Sequence, residues 1–188
     1  APNKPRDQLT VITLAKPRHD QIILNMQSMG IRVFAVPDGD VAASILTCLP
    51  EYNIDAMYCI GGAPEGVISA AALRALGGDM QARLLLRSDV KGINKENTLH
   101  SEKEQQRCHQ MGVTPNTLLT LSNLVSSDDV VFSATGITKG DLLEGVRKNG
   151  GLATTETLLI HGRCRTIQRI KSTHDLSRVD SQIKELIL

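Results

Sequence analysis

Three strand–helix pairs, repeated at short and nearly equal intervals, are the feature that most limits what this chain can form. The strands are predicted at 9–14, 31–36 and 56–60, and the helices that follow them at 17–29, 40–49 and 64–76. Strands that alternate with helices over short connections favour a parallel sheet covered by helices. Because the carboxyl ends of parallel strands meet at one edge, we expect the three connecting turns to lie together there, where open α/β sheets bind ligands.

The second half of the sequence has a less regular pattern. It predicts strands at 81–86 and 130–133, helices at 96–111 and 141–148, and a final antiparallel hairpin from 154–160 and 166–171. The expected fold class is α/β: a mixed, largely parallel sheet with helices on both faces, ending in that hairpin. Residues 9–188 are assigned to this domain. Residues 1–8, which are polar and lack an initiator methionine, are assigned to a linker from a preceding domain.

Composition argues against several classes of protein. Of the 188 residues, 41% are hydrophobic and 22% are charged, which is typical of a globular core. A net charge of +1, with 2% aromatic residues and no Trp, argues against nucleic-acid binding and membrane-surface binding. No apolar run approaches the ~18 residues of a membrane span. Cys48, Cys59, Cys108 and Cys164 lack metal-type spacing, so we expect reduced, mostly buried thiols and a cytoplasmic location.

The first turn combines a helix start with two cations. Pro17 suits the first helical position, where its missing N–H costs nothing. Lys16 and Arg18 place positive charge at the positive end of the helix dipole, where acidic residues are preferred. That arrangement favours a bound anion, held by the cations and by free backbone N–H groups. The alternative is a pair of solvated basic residues that Asp20 compensates locally.

The second turn carries two carboxylates around a glycine. Asp40 is predicted to cap the second helix, whereas Asp38 has no such structural role. Gly39 between them lets the backbone come close to a bound group. Both carboxylates can accept hydrogen bonds from sugar hydroxyls or face a metal ion, and the alternative is an ordinary tight turn.

The third turn joins glycines to a glutamate. Gly62 can let a ligand lie against the backbone, and Glu65 stands at the start of the third helix. Glu65 is either a favourable charge at the helix dipole or an oxygen ligand of Mg²⁺ or Mn²⁺. The three turns recur every 22 to 25 residues, so their cations, carboxylates and glycines are expected at one edge. This combination indicates a phosphorylated polyol or sugar as the ligand.

A fourth segment, residues 132–141, is a strand followed by a loop of small residues and Lys139. It lacks the GxxxxGK[ST] spacing of a Walker A loop. Its backbone N–H groups either approach a phosphate or belong to a close-packed turn, and the sequence favours neither. A nucleotide-binding dehydrogenase domain is disfavoured, because no GxGxxG follows the first strand.

Four segments of the chain closely resemble the bacterial class II fructose-1,6-bisphosphatases. They are LAKPRHD at 14–20, VPDGDVA at 36–42, IGGAPEGV at 60–67 and FSATGITKGD at 132–141. The likeness continues through ATTET at 153–157 to the C-terminus, and in detail the chain looks like a second, paralogous enterobacterial member. The resemblance implies a metal-dependent phosphatase of gluconeogenesis, related to the lithium-sensitive sugar and inositol phosphatases. Such enzymes hydrolyse the 1-phosphate of fructose 1,6-bisphosphate.

The resemblance also implies roles for individual residues. By that likeness, Glu65 is a ligand of the divalent metal, Mn²⁺ or Mg²⁺. The substrate is contacted by Lys16, Pro17, Arg18, Asp38, Gly39, Asp40 and Gly62. No catalytic residue is assigned in this half of the enzyme.

The chain departs from the resembled family in length. Family members carry most of their acidic metal ligands in an N-terminal half that this sequence does not include. We therefore expect the N-terminal half of the same protein as a partner, no activity for this chain alone, and a homodimer. The alternative is a non-catalytic sugar-phosphate-binding or regulatory domain. Sedoheptulose 1,7-bisphosphate presents groups similar to those of the fructose ester.

Overall fold

The computed structural model describes residues 4–179 of the chain. Its strands are β1 (Thr10–Leu14), β2 (Arg32–Val36), β3 (Ala56–Met57), β4 (Gln81–Ala82), β5 (Leu119–Thr120), β6 (Val131–Thr135), β7 (Arg147–Asn149), β8 (Leu152–His161) and β9 (Thr166–Asp175). Its α-helices are α1 (Asp20–Ser28), α2 (Asp40–Leu46), α3 (Ala63–Leu76), α4 (Arg87–Lys91), α5 (Lys95–Gln110) and α6 (Leu121–Leu124). The outer parts of the predicted linker (1–8) and domain (9–188), residues 1–3 and 180–188, lie outside the described residues.

A three-stranded parallel sheet in the order β2-β1-β3 forms the first half of the fold. β1 and β2 pair over their whole length, from Thr10 opposite Arg32 to Leu14 opposite Val36. β1 is the central strand, so it is buried from Val11 onward. The predicted order of three strand–helix pairs is confirmed, and the turns after these strands share one edge.

The third strand is shorter than the sequence predicts. Pairing of β3 with β1 ends at Met57. Beyond Met57 the ring of His19 lies between the two backbone segments. It makes hydrogen bonds with the carbonyl of Leu14 and the amide of Ile60. After one more backbone bond, from the amide of Tyr58 to the carbonyl of Ile12, this side chain takes the place of direct ladder bonds. The predicted strand at 56–60 is therefore wrong beyond Met57.

Antiparallel strands build the second half of the fold. β8 pairs along its whole length with β9 on one edge, and with β6 and β7 end to end on the other. The hairpin predicted at 154–160 and 166–171 is confirmed and is longer than predicted. β4 and β5 form a separate antiparallel pair, which confines the strand predicted at 81–86 to two residues. The α/β class is confirmed, but the described strands are divided among three sheets, and the parallel sheet holds three strands.

Helices α2 and α3 join the parallel and antiparallel sheets in one core. α2 packs against β1, α3 packs against β6 and β8, and the two helices pack on each other. Fully buried side chains come from all of these elements, such as Ile12 of β1, Ile45 of α2, Ala72 of α3 and Leu158 of β8. Burial of a Leu or Ile side chain contributes ~1.5–3 kcal/mol. The ends of the parallel strands are therefore fixed relative to the rest of the domain.

Helix ends differ from prediction where local turns intervene. The helix predicted at 17–29 starts as a 3-10 turn, Pro17–His19, before α1. α2 stops at Leu46 rather than at residue 49. The helix predicted at 96–111 is confirmed within one residue as α5, because the side chain of Asn94 accepts a hydrogen bond from the amide of Asn97 and caps its start.

The helix predicted at 141–148 is wrong. The segment bends and then enters β7, and its consecutive residues Leu142 and Leu143 are both buried. Gly145 lies against the backbone of Lys139, and the amide of Val146 donates to the carbonyl of Ile137. These contacts with the preceding loop override a local helical pattern.

The predicted linker touches the domain at Lys4. The ammonium of Lys4 contacts both carboxylate oxygens of Asp55, at 2.8 and 2.7 Å, and the amide of Thr10 donates to the same carboxylate. The hydrogen bond from Lys4, followed by the one from Thr10, lowers the pKa of Asp55. This cluster attaches the chain before β1 to the start of β3.

Cys48, Cys59, Cys108 and Cys164 are all free thiols. Cys108 is buried, Cys48 and Cys59 are half-buried, and Cys164 is exposed, so the prediction of mostly buried thiols is wrong. Within residues 4–179, no helix has both the length and the apolar character needed to cross a membrane.

Candidate functional site

The first turn contacts both of the other turns. The ammonium of Lys16 lies 2.7 Å from a carboxylate oxygen of Asp38 in the second turn. The Nε of Arg18 donates to the carbonyl of Ile60, just before the third turn, at 2.6 Å. The structure therefore brings together the three segments that the sequence placed at one sheet edge.

Lys16 and Arg18 present their charges from a short 3-10 turn. Lys16 is extended and occupies the position before Pro17, which starts the turn. The pair between Lys16 and Asp38 is exposed on the aspartate side, since 80% of that side chain is accessible. Exposed pairs contribute about 0–1 kcal/mol. The ammonium is thus held in place by a contact that an incoming anion can replace at little cost.

The second turn depends on the backbone of Gly39. Gly39 has a φ of 94° and occupies the N-cap position of α2, so the prediction that Asp40 caps the helix is wrong by one residue. Asp40 is the first residue of the helix, and its Oδ1 accepts from the amide of Val41 at 3.0 Å. Its Oδ2 points at Gly61, where a Cβ atom would lie only 2.6 Å away. The second and third turns therefore touch through a carboxylate and a glycine.

The third turn places a carboxylate directly over a glycine. Gly62 is extended and precedes α3, with Pro64 in the first turn of the helix. The carboxylate of Glu65 folds back into the space that a Cβ at Gly62 would fill. Gly62 and Glu65 are both exposed. Because Gly62 has no side chain, it leaves room for the carboxylate of Glu65, and the position of one predicted residue depends on the other.

His19 is the residue at this edge to which the sequence gave no role. Its side chain is fully buried, with Nδ1 2.9 Å from the carbonyl of Leu14 and Nε2 2.8 Å from the amide of Ile60. The ring also meets the ring of Tyr58 edge-on, with centroids 6.3 Å apart. The sequence offers one clue, a histidine within LAKPRHD, but its partner lies 41 residues away.

The hydrogen bonds of His19 fix its protonation state. The amide of Ile60 can only donate, so Nε2 must be the acceptor and Nδ1 must carry the proton that is donated to Leu14. Burial lowers the pKa of His19, and the charge of Arg18 adds to the effect, while the carbonyl of Leu14 and Asp20 oppose it. His19 is therefore a neutral connector between two turns.

Cys59 lies near Asp40 and Gly61, and its surroundings disfavour the thiolate. Burial raises the pKa of the Cys59 thiol, the charge of Asp40 raises it further, and Arg18 opposes the shift. The thiolate is the nucleophilic and metal-binding form of cysteine. The raised pKa of Cys59 therefore disfavours both functions at this site.

The loop that follows β6 is closely packed at its two ends, Gly136 and Gly145, whereas residues 137–140 are exposed. A Cβ at Gly136 would clash with the carbonyl of Glu144, and a Cβ at Gly145 would lie 2.5 Å from the amide nitrogen of Lys139. The amide of Gly140 donates to the carbonyl of Leu143 at 3.0 Å. Gly136 and Gly145 thus pack against neighbouring backbone, which favours the second of the two interpretations that the sequence left open.

The carboxylates at this edge are the type of ligand that a hard divalent cation prefers, but too few of those that the structure describes lie together to form a complete metal site. Mg²⁺ and Mn²⁺ prefer oxygen ligands, and Glu65, Asp38 and Asp40 supply carboxylate oxygens. Among residues 4–179, however, no group of three or more His, Cys, Asp or Glu side chains is placed to hold a metal ion. Within the described part of the chain, the donor set fits a share of a metal site and not a whole one.

Comparison with known proteins identifies the family. Residues 1–174 match the family described as bacterial fructose-1,6-bisphosphatase, glpX-encoded. The chain is 60% identical over 185 residues to fructose-1,6-bisphosphatase 1 class 2 of Escherichia coli K12, covering 98% of this chain and 55% of that protein. It is 55% identical over 173 residues to fructose-1,6-bisphosphatase class 2 of Haemophilus influenzae, covering 92% of this chain and 52% of that protein.

A second Escherichia coli protein bears on the expected paralogue. Fructose-1,6-bisphosphatase 2 class 2 of strain K12 is 49% identical over 171 residues, covering 91% of this chain and 53% of that protein. Assignment to a second enterobacterial paralogue stays a prediction, since this chain is more similar to the first of the two proteins. The chain spans about half the length of the curated relatives it matches. With a family match over most of its residues, the chain belongs to the glpX-encoded bacterial fructose-1,6-bisphosphatases.

Proposed function

We propose that this chain supplies the sugar-phosphate-binding part of a fructose-1,6-bisphosphatase. The reaction is hydrolysis of the 1-phosphate of fructose 1,6-bisphosphate to fructose 6-phosphate and phosphate. One observation carries the proposal: the turn with Lys16 and Arg18 contacts both the turn with Asp38 and the segment that leads to Gly62. Membership of the family supports the choice of substrate.

Two cations suit the phosphate. Arg18 uses its Nε for the carbonyl of Ile60, which leaves the four N–H donors of its terminal nitrogens for an oxyanion. Lys16 stands at the start of the same turn, and on this proposal both charges contact one anion. An arginine fork gives directional bonds to phosphate oxygens, and a lysine adds a point charge.

The second and third turns suit the sugar. Asp38 and Asp40 are hydrogen-bond acceptors, as a polyol with several hydroxyl donors requires. The glycines at 39 and 62 have no side chain, so the ligand can lie close to the backbone. On this proposal the chain binds and orients the ester, and positions its phosphate relative to Glu65.

Glu65 would contribute one ligand to Mn²⁺ or Mg²⁺. A bound divalent metal neutralises phosphate charge and lowers the pKa of its water. The number of donors in the described residues leaves the remaining ligands to the rest of the protein. On this proposal the N-terminal half of the enzyme is the partner of this chain, the chain alone is inactive, and the assembled protein is a cytoplasmic homodimer.

A chimera tests the proposed activity. This chain would replace the matching segment of the 60%-identical Escherichia coli protein, and release of phosphate from fructose 1,6-bisphosphate would be measured with Mn²⁺. We expect turnover by the chimera and none by the chain alone. Arg18→Ala is expected to remove most of the activity, whereas Lys103→Ala, on the exposed face of α5, is a matched control for lost charge.

The outcomes separate the alternatives. Binding of fructose 1,6-bisphosphate by a folded chimera without turnover would favour a sugar-phosphate-binding or regulatory domain. A folded chimera that neither binds nor hydrolyses the ester would contradict the proposed function. Turnover by the chain alone, in a sample whose mass excludes a longer protein, would contradict the proposed division of the metal site.

A further inference from the structure

One side chain fixes the distance between the cationic turn and the turn that carries Gly62 and Glu65. Direct backbone bonds between β1 and the third segment end with the amide of Tyr58, which donates to the carbonyl of Ile12 at 3.1 Å. His19 spans the gap beyond that bond, from the carbonyl of Leu14 to the amide of Ile60. The imidazole thus connects β1 to the third segment through two hydrogen bonds, beyond the last direct backbone bond between them.

Ile60 is held at both of its backbone polar groups by consecutive residues of the first turn. Its amide donates to His19 at 2.8 Å, and its carbonyl accepts from the Nε of Arg18 at 2.6 Å. Gly61 and Gly62 follow at once, and glycine is the residue type with the least conformational restriction. Without these two bonds, the orientation of the glycine pair would depend on α3 behind it, on the backbone bond of Tyr58 before it and on the contact of Gly61 with Asp40.

The side chain of His19 is itself held in one position. His19 has no exposed surface, its own amide donates to the carbonyl of Lys16 at 2.8 Å, and Tyr58 closes the ring edge. The lowered pKa of His19, caused chiefly by burial, agrees with a neutral ring that has one donor and one acceptor. A protonated ring would turn a second N–H toward the amide of Ile60, and two donors cannot pair.

We propose that His19 is a positioning residue of this site: its imidazole holds the Ile60–Gly62 backbone at a fixed place relative to Lys16 and Arg18. The inference rests on the proposed function, because it assumes that both turns contact one ligand. His19 itself is fully buried and touches neither sugar nor phosphate in this arrangement. Its effect on binding passes through Ile60.

The tautomer gives a test that needs no substitution. In the 188-residue chain labelled with ¹⁵N in its imidazoles, His19 is expected to carry its proton on Nδ1, the less common tautomer in water. Nε2 is expected to show the shift of an unprotonated nitrogen that accepts a hydrogen bond. A proton on Nε2 would overturn the proposal, because the bond to Ile60 could not then form.

Three variants separate positioning from general stability. His19→Phe keeps a ring but loses both bonds, and His19→Gln keeps one donor and one acceptor. Ile160→Val is the matched control, since Ile160 is fully buried in β8, outside the three turns. Hydrogen exchange at the amides of residues 60–62 is expected to speed up in His19→Phe, less in His19→Gln, and not in the control.

Ligand affinity completes the test. A misplaced binding group can cost ~10–100-fold, so His19→Phe is expected to weaken fructose 1,6-bisphosphate binding to that extent. We expect His19→Gln to recover part of the loss and Ile160→Val to retain the affinity. If His19→Phe fails to fold, the comparison of His19→Gln with Ile160→Val and the tautomer still decide the question.

The outcomes distinguish this inference from the proposed function. If the unaltered chain binds no fructose 1,6-bisphosphate, the proposed function fails, while the tautomer and amide exchange still decide whether His19 holds the turn. If Ile160→Val weakens binding as much as His19→Phe does, His19 acts only through stability and the positioning role is overturned. The proposed binding site at the three turns would not be contradicted by that result.

Discussion

Two glycine-rich regions of this domain look alike in sequence and differ in what faces the glycines. At the edge of the parallel sheet, Gly61 and Gly62 are exposed, and the atoms nearest to their missing Cβ positions belong to the carboxylates of Asp40 and Glu65. In the loop after β6, Gly136 and Gly145 are buried against backbone atoms. The first arrangement leaves movable charged groups beside open space, and the second is packing.

The atoms next to a glycine indicate whether a glycine-rich loop can bind a ligand. A side-chain carboxylate next to a glycine can rotate toward a ligand, whereas a backbone carbonyl next to a glycine is fixed by its own chain. Both regions also carry a lysine, so charge alone does not distinguish them. The atoms next to the glycines do distinguish the two regions. They predict opposite effects on stability when a glycine is replaced by alanine.

The largest expected effect is a loss of stability in the packed loop. Gly145→Ala would put a Cβ atom 2.5 Å from the amide nitrogen of Lys139, where only backbone can give way. Overpacking of this kind costs ~1–3 kcal/mol and occasionally more. Urea denaturation should show that loss in the free energy of unfolding. Gly140→Ala, whose nearest neighbour is 4.0 Å away, is the control and should change stability little.

Gly62→Ala should give the opposite result. Its backbone is extended, so alanine fits, and the group in the way is the movable end of Glu65. Stability should change by less than ~1 kcal/mol, while the displaced Glu65 loses its place for a metal. Calorimetry of the chimera should show that Mn²⁺ no longer strengthens fructose 1,6-bisphosphate binding. Gly66→Ala, which faces open space, should retain the Mn²⁺ effect.

Lys16→Ala should separate binding from stability at the same edge. The exposed pair with Asp38 contributes at most about 1 kcal/mol to folding. Loss of a charged partner of phosphate should weaken fructose 1,6-bisphosphate binding about tenfold, and the deficit should shrink at high salt. An affinity unchanged by the substitution would remove Lys16 from the proposed site. Lys139→Ala, in the packed loop, should bind normally.

The smallest effect is the pH dependence that His19 adds to stability. Its pKa in the folded chain lies below the ordinary value of 6.5, so between the two values the unfolded chain binds a proton that the folded chain does not. The free energy of unfolding should therefore fall as the pH falls below 6.5. The contribution of Asp55, whose pKa is lowered from 3.8, is lost only at lower pH.

His19→Gln tests that assignment, because glutamine does not titrate. Urea unfolding measured at about pH 7.5 and about pH 5.5 should show a smaller decline in the variant than in the unaltered chain. An equal decline in both proteins would show that other groups cause it.

The sequence was most informative where local periodicity determines structure. The three strand–helix pairs follow from apolar patterns, and α5 begins where Asn94 can cap it. Prediction failed where distant residues decide the backbone. The strand at 56–60 ends early because His19, far away in sequence, enters the ladder. The helix at 141–148 is absent because Gly145 packs on the loop before it.

Prediction of the site had the same limit. The types of residue at the three turns were enough to suggest a phosphate, hydroxyl groups and a metal. Which residues touch could not be read from spacing, so Asp40 was predicted as a cap although Gly39 takes that position with its left-handed backbone. The contact of Asp40 with Gly61 depends on that one-residue shift.

The most direct test of the account is a titration of the ¹⁵N-labelled chain with fructose 1,6-bisphosphate, followed by amide chemical shifts. If the three turns form one site, the amides of residues 16, 18, 39–41, 61–63 and 65 should shift together with a single affinity. The amides of residues 136–145 should stay in place. Shifts confined to residues 136–145, or an absence of shifts at the three turns, would contradict the central claim.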